Sequence, residues 1–316
     1  MRCFVMFLGL LAAGPAGRAE ERFDFSGPGM ATTFRIACYA GDRATAEKAA
    51  EACFERIAQL QAVCTDYDPT SELMRLCAPE AVRPMTVSPA LFNLLERAQA
   101  MAVASDGAFN PACGHLTQLW RRTRRTGKLP PVERVQRGLE AAARWREIRL
   151  DPATREVTLP PGTLLDLGGI AKGYAADACL RLLREHGLER AVVQAGGDTA
   201  VGQPPPGAAG WPVKLRTFTR PGEDDDLREL MLADCAVSTS GDLYQFLEID
   251  GVRYSHIVSP VTGHGLTERI ACSVIAADAT SSDALATAMC VLGPERGQAL
   301  AAKLGVQAIF ALPPKP

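Results

Sequence analysis

The chain has few histidines, no C-x-x-C pair and no dominant charge, and each shortage removes a class of function. Its four histidines stand at no ligand spacing to one another or to the cysteines, which argues against zinc. A formal charge of −2 leaves no basic face able to attract nucleic acid or an anionic membrane. The basic run Arg121-Arg122-Thr123-Arg124-Arg125 reads as a solvated helix end or loop, with partner docking as the alternative. There is no Walker A loop, no dinucleotide-binding fingerprint, no long internal repeat, no coiled coil and no low-complexity tract. Nor is any apolar run long enough to span a bilayer comfortably.

What is present is ordinary for a folded globular protein. Hydrophobic residues make up 47% and charged residues 22% of 316, enough for a real core. That length allows either two packed subdomains or one elaborated domain. Residues 1–19 read as a secretory signal: Met1-Arg2 is a short positive segment, Phe4 to Ala13 is apolar, and Gly17-Arg18-Ala19 places small residues around a cleavage point after Ala19. Cys3 precedes the apolar segment, where it suits no lipoprotein anchor, and the leader has no twin-arginine pair. An exported, periplasmic protein of residues 20–316 follows. Such a compartment permits disulfides. The nine cysteines left after Cys3 are odd in number and widely spaced, and several sit in apolar runs, so they read as buried thiols.

Local patterning predicts an α+β chain, because strands and helices mix without strict βαβ order. Ala31 to Tyr39 alternates as a strand, and Ala44 to Val63 is an amphipathic helix with Ala50, Cys53, Phe54, Ile57 and Leu60 on one side. Asp66 to Leu76 is a loop entering a short helix, and another helix starts at Ser88-Pro89 and ends near Ser105-Asp106-Gly107. The stretch from Pro130 to Pro161 holds a short helix and two strands around Asp151 to Arg155. Leu164 to Leu167 is expected to be a strand, and a helix runs from Tyr174 to His186 before Gly187. Ala191 to Gln194 is a buried strand. Gly202 to Gly210 and the acidic Pro221 to Asp226 are loops, Ser238 to Asp242 is a serine-rich turn, and Asp250-Gly251 marks a hairpin. Helices from Ser282 and from Pro294 close the chain.

Two segments carry chemistry. Asp166-Leu167-Gly168-Gly169-Ile170-Ala171-Lys172 is a glycine-rich turn entering a helix, with an acid and a lysine at its ends. Helix N-terminal N–H groups and a lysine neutralise phosphate oxygens; alternatively Gly168 and Gly169 serve packing alone. Asp283 and Thr287 stand four apart, on one face of a helix. As hard oxygen ligands they suit Mg²⁺ on a diphosphate, whereas a capping Asp and a Thr bonded to backbone is the simpler alternative. His256 lies at a strand end before a Pro-containing turn, where a group titrating near neutrality can act as acid or base.

These segments occur in order with Met30-Ala31-Thr32-Thr33-Phe34, Tyr67-Asp68-Pro69-Thr70-Ser71-Glu72-Leu73, Gly107-Ala108-Phe109-Asn110-Pro111, Ala195-Gly196-Gly197-Asp198, Tyr254-Ser255-His256-Ile257 and Thr262-Gly263. Together they resemble the ApbE family, the FAD:protein FMN transferases, from Met30 to about Phe310. The resemblance implies a single elaborated, T-fold-like domain, or two packed α/β subdomains, with FAD in the cleft. It implies a Mg²⁺-dependent enzyme that cleaves FAD at the diphosphate, releases AMP, and links FMN by a phosphoester to a Thr or Ser of a target protein. By family motif, Met30, Tyr67, Ala108, Phe109, Asn110, Asp166, Lys172 and Ile257 surround FAD. Asp283, Thr287 and the backbone carbonyl of Gly169 hold the metal, and His256 activates the acceptor hydroxyl. The implied partners are flavin-acceptor domains of membrane-bound redox proteins outside the cytoplasm.

The chain departs from the family pattern at Ser259, Asn110 and Ala31, where Asp, Asp and Gly are common. Ser259 removes a carboxylate near His256, with a less basic histidine or a weaker turn as the expected consequence. Two other readings keep the same site: water as the acceptor, giving an FAD diphosphatase, and FAD binding without turnover, giving a carrier. Retention of Asp283 and Thr287 speaks against the carrier.

Overall fold

The computed structural model describes residues 20–216, 227–242 and 246–313. The expected leader (1–19) and the acidic loop at 221–226 lie outside the described residues. The organising element is a seven-stranded, wholly antiparallel sheet in the order β1-β2-β6-β7-β10-β13-β14. Its strands are β1 (Glu21–Gly29), β2 (Thr32–Ala40), β6 (Ala191–Ala195), β7 (Asp198–Val201), β10 (Cys235–Gly241), β13 (Ala271–Ala276) and β14 (Gln307–Ala311). The expectation of an α+β chain holds.

Period-two alternation assigns the two faces of this sheet. Phe34, Ile36 and Cys38 of β2 point to one side and pack on α1 (Arg43–Cys64), α6 (Ala171–Glu185) and α7 (Ala279–Leu304). Ala37 and Tyr39 point to the other, where Val192, Val237 and Ile275 join them. That second face is covered by the ribbon β8 (Trp211–Arg216) and β9 (Leu227–Leu232), through Trp211, Val213 and Leu215. Outside α1 lie α2 (Glu72–Cys77), α3 (Pro89–Ala104), α4 (Gly114–Thr126) and α5 (Val132–Ala143), with a small sheet of β3 (Met85–Thr86), β4 (Arg149–Asp151) and β5 (Glu156–Thr158). The hairpin β11 (Phe246–Ile249) and β12 (Val252–Ser255) turns at Asp250-Gly251, as expected.

Helix ends follow local chemistry. Asp42, Ser71 and Ser88 accept the N–H groups of Thr45, Met74 and Leu91, and Pro89 occupies the first turn of α3. The two closing helices are one element, α7, broken at Gly293 (φ 77°) just before Pro294.

Two expectations fail for tertiary reasons. Leu164 to Leu167 is not a strand. Its backbone is held instead by Gly114 N–H on Leu164 O (3.0 Å) and by Asp166 N–H on Pro111 O (2.8 Å), while Leu165 and Leu167 are buried. Ser238 to Asp242 is not a turn, since Ser238 to Gly241 form half of β10, in the middle of the sheet. Its hydroxyls are satisfied by neighbours: Ser238 by Ser282 (2.7 Å), Thr239 by Ser273 (2.7 Å) and Ser240 by Thr287 (3.1 Å).

Candidate active site

Helices α6 and α7 cross at Gly173, and this contact builds the site. A side-chain carbon on Gly173 would stand 2.1 Å from Ala279 O and 2.9 Å from Asp283 Cβ, so only glycine admits α7 this closely. The Gly173 N–H donates to Asp283 Oδ2 (3.1 Å). Asp177, one turn further along α6, accepts the N–H groups of Ala279 and Thr280, each at 2.8 Å. Asp278 accepts Ser281 N–H (2.7 Å) as the N-cap of α7. Because Asp278 and Asp177 satisfy the first turn, Asp283 is released from capping. Its carboxylate points instead at the glycine turn.

Lys172 gathers the charges here. Its Nζ lies 3.2 Å from Asp283 Oδ2 and 3.1 Å from Asp198 Oδ2. Both carboxylates are 2% exposed. Two buried acids therefore share one ammonium, and Asp198 Oδ2, although within ion-pair distance of Lys172, lacks a well-directed hydrogen bond. Burial, with the charge of Asp283, pushes the Asp198 carboxyl up to about 7. Asp283 and Asp198 hold Lys172 above its ordinary range against the opposing effect of burial.

One turn along α7, Thr287 Oγ1 meets Ser240 Oγ. A carbon placed on Gly169 would lie 3.3 Å from Thr287 Oγ1 and 3.5 Å from the Phe109 ring. Thr287 and Phe109 thus both stand against the glycine turn. Gly168 N–H donates to Asp166 Oδ1 (2.7 Å), and Arg121 Nη2 donates to Asp166 Oδ2 (2.9 Å). Both oxygens of Asp166 are engaged in holding the turn.

A cavity of about 1350 Å³ opens over this cluster. Met30, Tyr67, Lys172, His256 and Asp283 line it, with Asp198 and Arg121. Met30 and Ala31 form the β1–β2 turn in left-handed conformations (φ 48° and 58°), and Gln61 accepts the Met30 N–H. Such conformations explain why glycine suits position 31. His256 follows β12, and the backbone is pinned on either side of it: Ser255 N–H donates to Leu266 O (2.7 Å), and Leu266 N–H donates to Ile257 O (2.9 Å). Trp120 Nε1 adds a bond to Ser255 O (2.9 Å).

The remaining expected residues lie elsewhere around this cluster. Phe109 and Ile257 are buried. Ala108 and Asn110 line a second cavity of about 810 Å³. The Asn110 amide donates to Ala142 O (3.0 Å) and its oxygen accepts Ala112 N–H (2.9 Å). Ser259 lines the second cavity too, and its hydroxyl accepts the N–H groups of Val261 and Thr262, both at 3.2 Å. The turn thus keeps a side-chain acceptor without a carboxylate.

Three contributors have no role at the site in the sequence reading: Asp198, Asp177, and Arg121, which is expected with the basic run at a solvated helix end or loop and instead lies inside α4, paired with two nearly buried acids. The first has a local signal, a Gly196-Gly197 turn (Gly196 φ 64°) ending on an acid between two strands. The other two act across the fold and have none.

The chain is similar to known proteins over most of its length. Residues 30–310 match the ApbE family. The FAD:protein FMN transferase of Treponema pallidum (strain Nichols) is 36% identical over 303 residues, covering 90% of this chain and 83% of that protein. One from Klebsiella pneumoniae (strain 342) is 31% identical over 294 residues, covering 91% and 88%. The solved structure of the flavin transferase ApbE from Vibrio cholerae aligns with a TM-score of 0.83 at 25% identity, covering 92% of this chain and 93% of that one. With the match running through the glycine turn, the histidine strand end and α7 alike, the chain belongs to the ApbE family.

Proposed function

We propose that the protein is a Mg²⁺-dependent FAD:protein FMN transferase acting on extracytoplasmic acceptor domains of membrane-bound redox proteins. The observation that carries this reading is the placement of Asp283, Thr287 and Lys172 against the glycine turn, with Asp283 and Lys172 lining the cavity above it. The residues suit the metal. Two buried carboxylates with one ammonium leave negative charge uncompensated, Asp198 Oδ2 has no well-directed hydrogen bond beside its ion pair with Lys172, and the donors are all hard oxygens. Asp283, Thr287 and the Gly169 carbonyl would hold Mg²⁺, which supplies charge neutralisation at a diphosphate.

The chain's own groups account for the other requirements. Lys172, which lines the cavity, would face the phosphates. Tyr67 and Met30 offer apolar surface to a ring system. His256, at the cavity wall, takes the proton of the acceptor hydroxyl as its oxygen attacks the FMN-side phosphorus. The phosphoanhydride bond to AMP breaks, and AMP leaves with the electron pair. The leader reading places this activity in the periplasm.

Incubating the mature protein with FAD, Mg²⁺ and an acceptor domain carrying a candidate Thr tests the proposal. The acceptor should gain the mass of FMN while AMP appears by chromatography, and both should vanish in Asp283→Ala. AMP and free FMN without labelling would assign hydrolysis instead. FAD bound and unaltered would overturn both and leave a carrier. The mass of the protein recovered from a periplasmic fraction checks cleavage after Ala19.

A further inference from the structure

Tyr67 is an oddity at the cavity. It is a large aromatic residue 74% exposed, in the loop between α1 and α2, where an unsupported ring would rotate freely. It is supported by one side chain, that of Arg121 on α4, whose guanidinium carbon sits 4.3 Å from the ring centroid. That guanidinium is itself clamped. One nitrogen donates to Asp66, the residue before Tyr67, and another to Asp166, at the start of the glycine turn. Both carboxylates are nearly buried, and burial together with the charge of Asp166 pushes the Asp66 carboxyl up. The planar fork between them offsets that repulsion and is thereby fixed in orientation.

We infer that Arg121 is a positioning residue for substrate recognition: it locks the Tyr67 ring as one wall of the cavity, in register with the glycine turn, so that a planar ring of FAD stacks on the ring's open face. The inference rests on the flavin-transferase reading and adds to it a residue outside the matched motifs. A guanidinium on one face leaves the opposite face for the ligand, and both residues line the same cavity. Asp166, the second partner of Arg121, also accepts the Gly168 N–H, so the clamp that orients the guanidinium is anchored at the glycine turn. Lysine at this position keeps the charge but can neither stack as a plane nor hold two carboxylates in the fixed geometry of a planar fork.

The test is FAD binding, followed by quenching of flavin fluorescence in Mg²⁺ buffer, together with steady-state transfer. Arg121→Lys should raise the Kd of FAD and the KM about tenfold, the factor carried by roughly 1.4 kcal/mol, with kcat changed by no more than about twofold. Tyr67→Leu, which leaves both ion pairs in place, should match it, and the double variant should bind no worse than Tyr67→Leu alone. A merely structural role for Arg121 would instead make the two losses multiply. FAD affinity at the wild-type level in Arg121→Lys, or multiplying losses, overturns the inference while leaving the transferase reading standing. If Arg121→Lys does not fold, Tyr67→Phe and Tyr67→Leu decide the matter: Phe should keep the affinity, and wild-type affinity in Leu overturns the lock. No FAD binding by the wild-type protein would overturn the transferase reading itself, and the inference with it.

Discussion

Replacing Gly173 by alanine perturbs the α6–α7 crossing with a single methyl group. The added carbon would sit 2.1 Å from Ala279 O and 2.6 Å from Ala279 C, both backbone atoms that no rotamer change can move aside. Restoring ordinary contact requires the helices to part by about 1 Å. Such overpacking costs about 1–3 kcal/mol. The same movement breaks the Gly173 N–H bond to Asp283, a bond to a charged group worth about 1.5–3 kcal/mol. Alanine's better helix propensity returns about 1 kcal/mol. The net expectation is a loss of about 1.5–5 kcal/mol, seen as a melting midpoint roughly 2–8 °C lower by circular dichroism. FMN transfer should suffer more, because a shift of about 1 Å in Asp283 can cost about a hundredfold in kcat/KM. Gly41→Ala is the control: nothing lies within 4 Å of its added carbon, so its stability should change by no more than about 0.5 kcal/mol. A Gly173→Ala protein with the wild-type midpoint and activity would refute the argument that this close approach aims Asp283.

Other consequences can be measured on the same protein. Asp177→Ala strips the acceptors from Ala279 and Thr280 N–H at the start of α7 and should cost about 2–4 kcal/mol in urea unfolding; an unchanged midpoint would show that water replaces them. Ala31→Gly relieves a left-handed residue (φ 58°) and should stabilise by about 1 kcal/mol, which differential scanning calorimetry can detect. All nine described cysteines are free thiols and all but Cys235 are buried. Burial pushes Cys64 up to about 12 and Cys38 and Cys77 up to about 11. Raised thiol pKa values keep the protonated, unreactive form as pH rises, so Ellman's reagent at pH 8 should label no described cysteine of the folded chain except Cys235, and all nine in guanidinium. Rapid labelling of several native thiols would contradict this packing. Asp242, 2% exposed, anchors Arg253 of β12 (2.9 Å), so Asp242→Ala should lower stability by about 3–5 kcal/mol and slow transfer by loosening the strand that leads to His256.

Much of this protein is written in local spacing. Period-two alternation marked β2, the 3.6-residue apolar stripe marked α1, and Gly187 and Gly251 marked the ends of their elements, because each signal depends on neighbours a few residues away. The i, i+4 spacing of Asp283 and Thr287 likewise needed only a helix to put both on one face. Whether Asp283 capped that helix or faced a ligand was open locally. It was decided by Asp177, 102 residues before Ala279 in sequence, which takes over the first turn with Asp278. Tertiary structure also made a buried strand of Ser238 to Gly241, whose composition reads as a turn, by supplying a hydroxyl partner for each polar side chain. It removed the strand expected at Leu164 to Leu167, where apolar residues found a core but no adjacent strand to pair with. The pairing of Lys172 with Asp198 and Asp283, and the clamp of Arg121 on Asp66, Asp166 and Tyr67, join segments far apart in the chain. Periodicity reports which way a side chain points from its own element; which charge it meets there depends on how the helices pack on the sheet.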